Sequence, residues 1–103
     1  MDIQAIAIAA LALLGPYLAK AGEGFAKKVG ENMADEVGML YQAIKQKFRG
    51  DSYAEQTLAR AEEKPESEGR RSALREVLVD KMAEDAAFAE RLRRLVQVST
   101  QAI

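Results

Sequence analysis

The side chains in this sequence that could do chemistry are charged, and they fall in short clusters of one sign. Two clusters are basic and two are acidic. They are Arg70-Arg71-Arg75, Arg91-Arg93-Arg94, Glu62-Glu63 and Glu66-Glu68. Basic residues near a membrane surface attract anionic lipid headgroups by about 1 kcal/mol each. The more ordinary interpretation is a solvated helix face with ion pairs one turn apart, such as Glu90 with Arg94. The acidic pairs lie in a polar segment with Pro65 and Gly69, which indicates a turn rather than a metal site.

Several residue types that enzymes and metal centres use do not occur among the 103 residues. The absence of Cys excludes a disulfide, a thiolate nucleophile and a Cys-based metal site. The absence of His removes the usual acid–base group near neutral pH and the commonest metal ligand. Gly22-Glu23-Gly24 lies in a helical pattern and lacks the strand–helix context of a phosphate-binding loop. We therefore expect no enzyme activity, no catalytic residue, no metal and no cofactor.

The overall composition is that of a small packed domain. The 15 basic and 16 acidic residues give a net charge of -1, which provides no general attraction for nucleic acid. Apolar residues make up 49% of the chain, which is enough for a core and too many for a disordered polyelectrolyte. We expect a single domain over residues 1–103 and no nucleic-acid partner.

Apolar spacing predicts helices along the whole chain, because no run alternates with the period of a strand. Gly50 and the polar segment 62–69 are the expected breaks, and Gly15-Pro16 is expected either to end or to kink the first helix. Ser52 with Glu55 is expected to cap one helix as a capping box, and Asp85 another. The predicted helices cover residues 3–14, 16–48, 52–63, 70–83 and 85–98. Short connections between them predict an all-α, four-helix bundle of four to five helices, with neighbours packed antiparallel.

The first predicted helix is apolar on every side, since only Gln4 interrupts it. Such a helix lies either in a protein core or in lipid, and both interpretations stay open. Its apolar residues are the candidates for membrane insertion. They are Ile3, Ile6, Ile8, Leu11, Leu13, Leu14 and Leu18. A spanning helix needs about 20 apolar residues, so this segment predicts conditional insertion rather than a permanent anchor. The start lacks the positive residues of a secretion signal, which indicates a cytoplasmic protein.

Small residues recur every four positions in the second predicted helix. They are Gly22, Ala26, Gly30, Ala34 and Gly38. Small residues at this spacing allow two helix backbones to approach closely, particularly in lipid. We expect this ridge to pack helices together, and we expect a bend or break near Gly22–Gly24 because glycine disfavours a helix interior.

The order of these features resembles a known type of domain. An Ala/Ile/Leu helix, Gly15-Pro16, the Gly-spaced segment AGEGFAKKVGENMADEVG and shorter charged helices are similar in plan to bacterial Bell-type domains. These are in turn similar to fungal HeLo domains and to the four-helix bundle of the mixed-lineage kinase-like executioner. No amyloid-like repeat of the kind often joined to such domains is visible near the end of the sequence.

The resemblance implies a membrane-targeting, pore-forming or membrane-disrupting cell-death effector that acts through residues 3–14 after oligomerisation. Expected partners are anionic membrane lipids, further copies of the chain, and an amyloid-type or receptor signalling protein. Lys20, Lys27 and Lys28 are expected to contact lipid headgroups once the protein relocates to the inner face of the cell membrane.

A different class of protein is the alternative. Small bacterial adaptor domains, death-like or effector-associated, carry helix sequences similar to Ala-Glu-Asp-Ala-Ala-Phe-Ala-Glu-Arg-Leu at residues 83–92. Such domains join proteins by helix–helix contacts and do not enter lipid. On this interpretation, residues 3–14 form an ordinary core helix.

Overall fold

The computed structural model describes residues 2–19 and 30–101, and within these ranges the chain forms five α-helices and no strand. They are α1 (Ile3–Ala19), α2 (Glu31–Phe48), α3 (Ser52–Glu63), α4 (Glu68–Glu84) and α5 (Ala86–Gln101). The all-α bundle predicted from the sequence is confirmed. The connections from α2 to α5 are short, and the most extensive helix–helix contact joins α2 to α5.

Helix α1 is the centre of the bundle, because it contacts each of the other four helices. Its predicted end at Leu14 is wrong: the helix continues through Pro16 to Ala19. Proline lacks the N–H that would donate to the carbonyl of Ala12. Both Ala12 and Pro16 lie on the solvent-exposed side of α1, so water can hydrate that carbonyl. This placement lets the helix pass through a residue that ordinarily breaks it.

Helix α2 begins at Glu31, so the single long helix predicted over residues 16–48 is wrong. The backbone of Gly30 has a φ of 94°, a left-handed conformation that does not belong to an α-helix and that glycine adopts readily. The predicted end at Phe48 is confirmed, and Gly50 follows it with a φ of 90°. The break expected near Gly22–Gly24 lies outside the described residues.

Aspartate and serine side chains set the starts of the last three helices. The N-cap of α3 is Asp51 rather than Ser52, since the Asp51 carboxylate accepts the Ala54 N–H at 3.1 Å. Ser67 caps α4, which therefore starts at Glu68, two residues earlier than predicted. The prediction for Asp85 is confirmed, because its carboxylate accepts the Phe88 N–H at 3.2 Å.

All five helices contribute to one core. The predicted apolar stripe of α2 is buried from Val37 to Phe48. The largest fully buried apolar side chains are Phe48, Leu14, Leu40, Ile44, Leu74, Leu78, Met82, Leu92, Val37 and Val96. Burial of each such side chain is worth about 1.5–3 kcal/mol. The core therefore joins α1, α2, α4 and α5 into one unit, and α3 adds Ala54, Leu58 and Ala61.

Candidate functional site

The candidate insertion residues of α1 are divided between the core and the surface. Ile6 and Leu14 are buried, together with Ala7 and Ala10. The other candidates, with the exception of Ile8, are half-buried: Ile3, Leu11, Leu13 and Leu18. Ile8 is 54% exposed and is one of the few large apolar side chains on the described surface. In this structure α1 is therefore a packed helix with one open side.

The open side of α1 is a single stripe. Gln4, Ile8, Ala12 and Pro16 are all exposed and lie four residues apart. Residues four apart occupy one face of a helix. The stripe carries no charge, since α1 has no Asp, Glu, Lys or Arg along its 17 residues. The bundle thus covers α1 on every side except this one.

A groove of about 410 Å³ lies between the open side of α1 and helix α4. We refer to it as the α1–α4 groove. It is lined by Ile8, Leu11, Ala12, Glu68, Arg71, Ser72 and Arg75. Arg71 and Arg75 are one turn apart on α4, and both are exposed. The structure therefore brings an exposed apolar stripe and two guanidinium groups to the same place, a juxtaposition that the sequence does not reveal because the two segments are some sixty residues apart.

Three further arginines of the two basic clusters, Arg70, Arg93 and Arg94, are held by local contacts. Arg70 donates to the carbonyl of Arg60 at 2.9 Å and pairs with Glu63 at 3.4 Å. Arg93 pairs with Glu90, and its guanidinium holds the pKa of that carboxyl down at about 2. The predicted Glu90–Arg94 ion pair is confirmed at 3.3 Å. These contacts leave Arg71, Arg75 and Arg91 without an ion pair among residues 2–19 and 30–101.

The predicted small-residue ridge is not a continuous feature of one helix. Gly30 lies outside the helical conformation, so no straight ridge can run through it. Gly22 and Ala26 lie outside the described residues. Ala34 is half-buried against the core, and a methyl group added at Gly38 would lie 3.8 Å from the Tyr17 hydroxyl oxygen. Ala34 and Gly38 therefore pack within the bundle, whereas Gly30 is exposed.

The predicted headgroup contacts, Lys20, Lys27 and Lys28, lie outside the described residues. Within the described ranges, none of the helices has both the length and the apolar character that crossing a membrane requires. The same ranges contain no group of three His, Cys, Asp or Glu side chains placed to hold a metal ion.

Two ion pairs between helices are not apparent from the sequence. Lys81 of α4 donates to Asp51 at 2.6 Å, and Lys47 of α2 donates to Asp85 at 2.6 Å. In each pair, the hydrogen bond from the lysine is the main reason that the pKa of the aspartate is lowered. The backbone N–H groups that donate to the carboxylate lower it further. The sequence predicts Asp85 as a cap, but which lysine pairs with each aspartate depends on the tertiary structure.

A second groove, of about 460 Å³, lies between α3 and α4. Tyr53, which is 66% exposed, lines it together with Arg60. Tyrosine and arginine are the residue types that most often dominate protein–protein binding energy. Neither residue was singled out as a site by sequence, since exposure depends on the tertiary fold.

Comparisons of this chain with protein-family models, with curated proteins and with solved structures give no significant match.

Proposed function

We propose that this chain is a membrane-targeting effector domain whose first helix is held in the bundle and enters lipid after the chain oligomerises. The observation that carries the proposal is the character of α1, a 17-residue helix without a charged side chain whose open stripe lies on the surface. Anionic lipids at the inner face of the cell membrane are the proposed target. Lys20, Lys27 and Lys28 follow α1 in sequence and are the proposed headgroup contacts.

The energies favour conditional insertion over constitutive insertion. When α1 leaves the core, Ile6 and Leu14 lose their burial, at a cost of about 1.5–3 kcal/mol each. The seven Ile and Leu candidates gain only about 0.3–0.6 kcal/mol each on insertion. A single chain therefore gains too little from lipid to open by itself. Binding of several chains to one another, triggered by a separate signalling partner, would supply the remaining free energy.

Tying α1 to the bundle tests the proposal directly. Because the chain has no cysteine, Ala12→Cys with Ser72→Cys introduces the only two thiols, and both residues line the α1–α4 groove. A short bis-maleimide would join α1 to α4 there. The matched control, Gln56→Cys with Ala73→Cys, joins α3 to α4 across the second groove and leaves α1 free. Deletion of α1 is less informative, because α1 forms part of the core.

The measurement is dye release from anionic vesicles, with and without the cross-linker, by chains that a fused dimerisation domain forces to oligomerise. The proposal predicts release by both uncross-linked variants and by the cross-linked control, and loss of release when α1 is tied to α4. Equal release with α1 tied and free would contradict the proposal. Circular dichroism on each variant establishes that the bundle is folded.

An adaptor that binds other proteins is the second candidate function. The groove with the exposed Tyr53 and Arg60 favours it, since these are typical binding residues in a concave surface. Absence of dye release by every variant, even when the chain is forced to oligomerise through a fused dimerisation domain, would favour the adaptor.

A further inference from the structure

Two exposed surfaces of this molecule complement each other in charge, spacing and apolar character. The first is the α1–α4 groove, where Arg71 and Arg75 lie four residues apart beside the exposed Ile8. Neither guanidinium has an ion pair or hydrogen bond within the described ranges. Their charges are therefore available to a partner.

The second surface lies on α2, and we refer to it as the α2 face. It consists of Glu31, Asp35 and Met39, which follow one another at intervals of four residues. Both carboxylates are exposed and, in the part of the chain that the structure describes, neither has an ion pair. Met39 is 53% exposed and, like Ile8, is one of the few large apolar side chains on the described surface.

We propose that the α1–α4 groove of one copy binds the α2 face of a second copy. An antiparallel alignment of α2 on α4 places Glu31 opposite Arg75 and Asp35 opposite Arg71, because the members of both pairs are four residues apart. The same alignment places Gly38, which is uncharged, opposite Glu68, the one carboxylate of the groove. Met39, next to Gly38, then adds an apolar contact beside Ile8.

The α2 face suits the groove better than a uniformly anionic surface does. A membrane rich in anionic headgroups would meet Glu68 as well as the arginines, and like charges placed opposite one another are unfavourable. A helix with two carboxylates and then an uncharged residue avoids that repulsion.

The contact joins two different surfaces, so each copy can bind one neighbour through its groove and another through its α2 face. Contacts of this heterologous kind build rings or open chains rather than closed dimers. This assembly rests on the proposed function, for which it identifies the surfaces through which closed chains associate before α1 leaves the bundle.

Charge exchange tests the contact. One variant carries Arg71→Glu and Arg75→Glu, and a second carries Glu31→Arg and Asp35→Arg. All four positions are exposed, which favours retention of the fold. The variant with all four substitutions has its charges swapped, so that its groove and its α2 face again attract. Arg49→Glu with Arg91→Glu is the control for the first variant, because it changes the net charge by the same amount at two exposed arginines outside both surfaces.

Sedimentation equilibrium over a range of concentrations at low salt measures self-association. We expect each double variant to associate at least about tenfold more weakly than the unaltered chain, because repulsion replaces attraction. We expect the fourfold variant, and an equimolar mixture of the two double variants, to recover association. The control should associate like the unaltered chain.

Three results would overturn the contact: an unaltered chain that stays monomeric, double variants that associate normally, or a fourfold variant that does not recover. Vesicle experiments separate this contact from the proposed function. Chains that associate through these surfaces yet release no dye would refute the proposed function alone. If the unaltered chain releases dye but its double variants associate normally, the contact alone is refuted.

Discussion

Lys47 and Asp85 join the end of one helix to the start of another. The Lys47 ammonium donates to Oδ2 of Asp85 at 2.6 Å, while Oδ1 of the same carboxylate accepts the backbone N–H groups of Ala87 and Phe88. Asp51 repeats the arrangement, with Lys81 on one oxygen and the Ala54 N–H on the other. Each aspartate therefore fixes a helix start and holds a second helix against it.

Removal of the Asp85 side chain should separate its two roles. Asp85→Ala loses both the cap and the ion pair, and we expect it to lower the free energy of unfolding by about 1–2 kcal/mol. Asp85→Asn keeps a good capping side chain and loses only the charge, so we expect a smaller decrease. Urea unfolding followed by circular dichroism measures both. Equal stability of Asp85→Ala and the unaltered chain would show that the cap contributes nothing.

The stability of the protein should fall at acidic pH. Asp51, Asp85 and Glu90 each have a lower pKa in the folded state, and that of Glu90 is lowered from 4.5 to about 2. At acidic pH the folded state therefore binds fewer protons than the unfolded state. The contribution of Glu90 is complete above about pH 4.5 and is lost progressively towards pH 2. The contributions of the two aspartates are lost as the pH falls below their usual pKa of 3.8.

A substitution that removes the charge of Glu90 provides the control for that pH dependence. Glu90→Gln should flatten the curve of unfolding free energy against pH below about pH 4.5, because it removes the group with the largest shift among the three. A curve as steep as that of the unaltered chain would mean that the Glu90–Arg93 contact does not form in solution.

A tyrosine should produce a second pH effect at the alkaline end. Burial, followed by its hydrogen bond to Glu62 at 2.6 Å, raises the pKa of Tyr41 above its usual value of 10.0. The neutral phenol is favoured in the folded state, so its contribution is present below pH 10 and is lost as the pH rises further. Tyr41→Phe should reduce this alkaline loss, measured as unfolding free energy between neutral pH and pH 11.

Alanine substitutions at two glycines should have opposite effects. Gly38→Ala adds a methyl in ordinary contact with Tyr17 and favours the helix, so we expect stabilisation by up to about 1 kcal/mol. Gly30→Ala forces a side chain into a φ of 94°, which should destabilise the protein by about 1 kcal/mol or more. If both variants were stabilised, Gly30 would lie within a continuous helix.

Removal of the Ser99 hydroxyl should not destabilise the protein. It is fully buried, and among the described residues its hydroxyl is the one buried side-chain polar atom without a hydrogen-bond partner. An unsatisfied buried donor costs about 1–3 kcal/mol. Ser99→Ala should therefore leave the midpoint of thermal unfolding unchanged or raise it, whereas a typical buried substitution lowers it.

The sequence predicted those features of the fold that depend on periodicity and local capping. Val37, Leu40, Ile44 and Phe48 recur at helical spacing, and the structure buries all four. Gly30 was not recognised as a break, because glycine is compatible with both a helix and a left-handed turn. At the start of α3, Asp51 and Ser52 are both good caps, and Lys81, thirty residues away, holds the one that is used.

The surfaces near the candidate site could be predicted less well than the helices. Sequence identified α1 as apolar and Arg71 and Arg75 as part of a basic cluster. It did not place them together, because their proximity depends on how α1 packs against α4. The sequence does not predict the exposure of Ile8 and Met39 for the same reason, since both belong to helices whose other large apolar residues are buried or half-buried.

The position of α1 when the chain meets a membrane is the most direct test of the central claim. A polarity-sensitive fluorophore attached at Ala12→Cys, on the open stripe of α1, would be the only label, since the chain has no cysteine. The same label at Gln56→Cys, exposed on α3, is the control. With anionic vesicles and a fused dimerisation domain that forces the chain to oligomerise, insertion predicts a blue-shifted emission at residue 12 that lipid-embedded quenchers suppress, with no change at residue 56. If the fluorophore at residue 12 shows no blue shift and no quenching while the chain is bound to vesicles, insertion of α1 is contradicted.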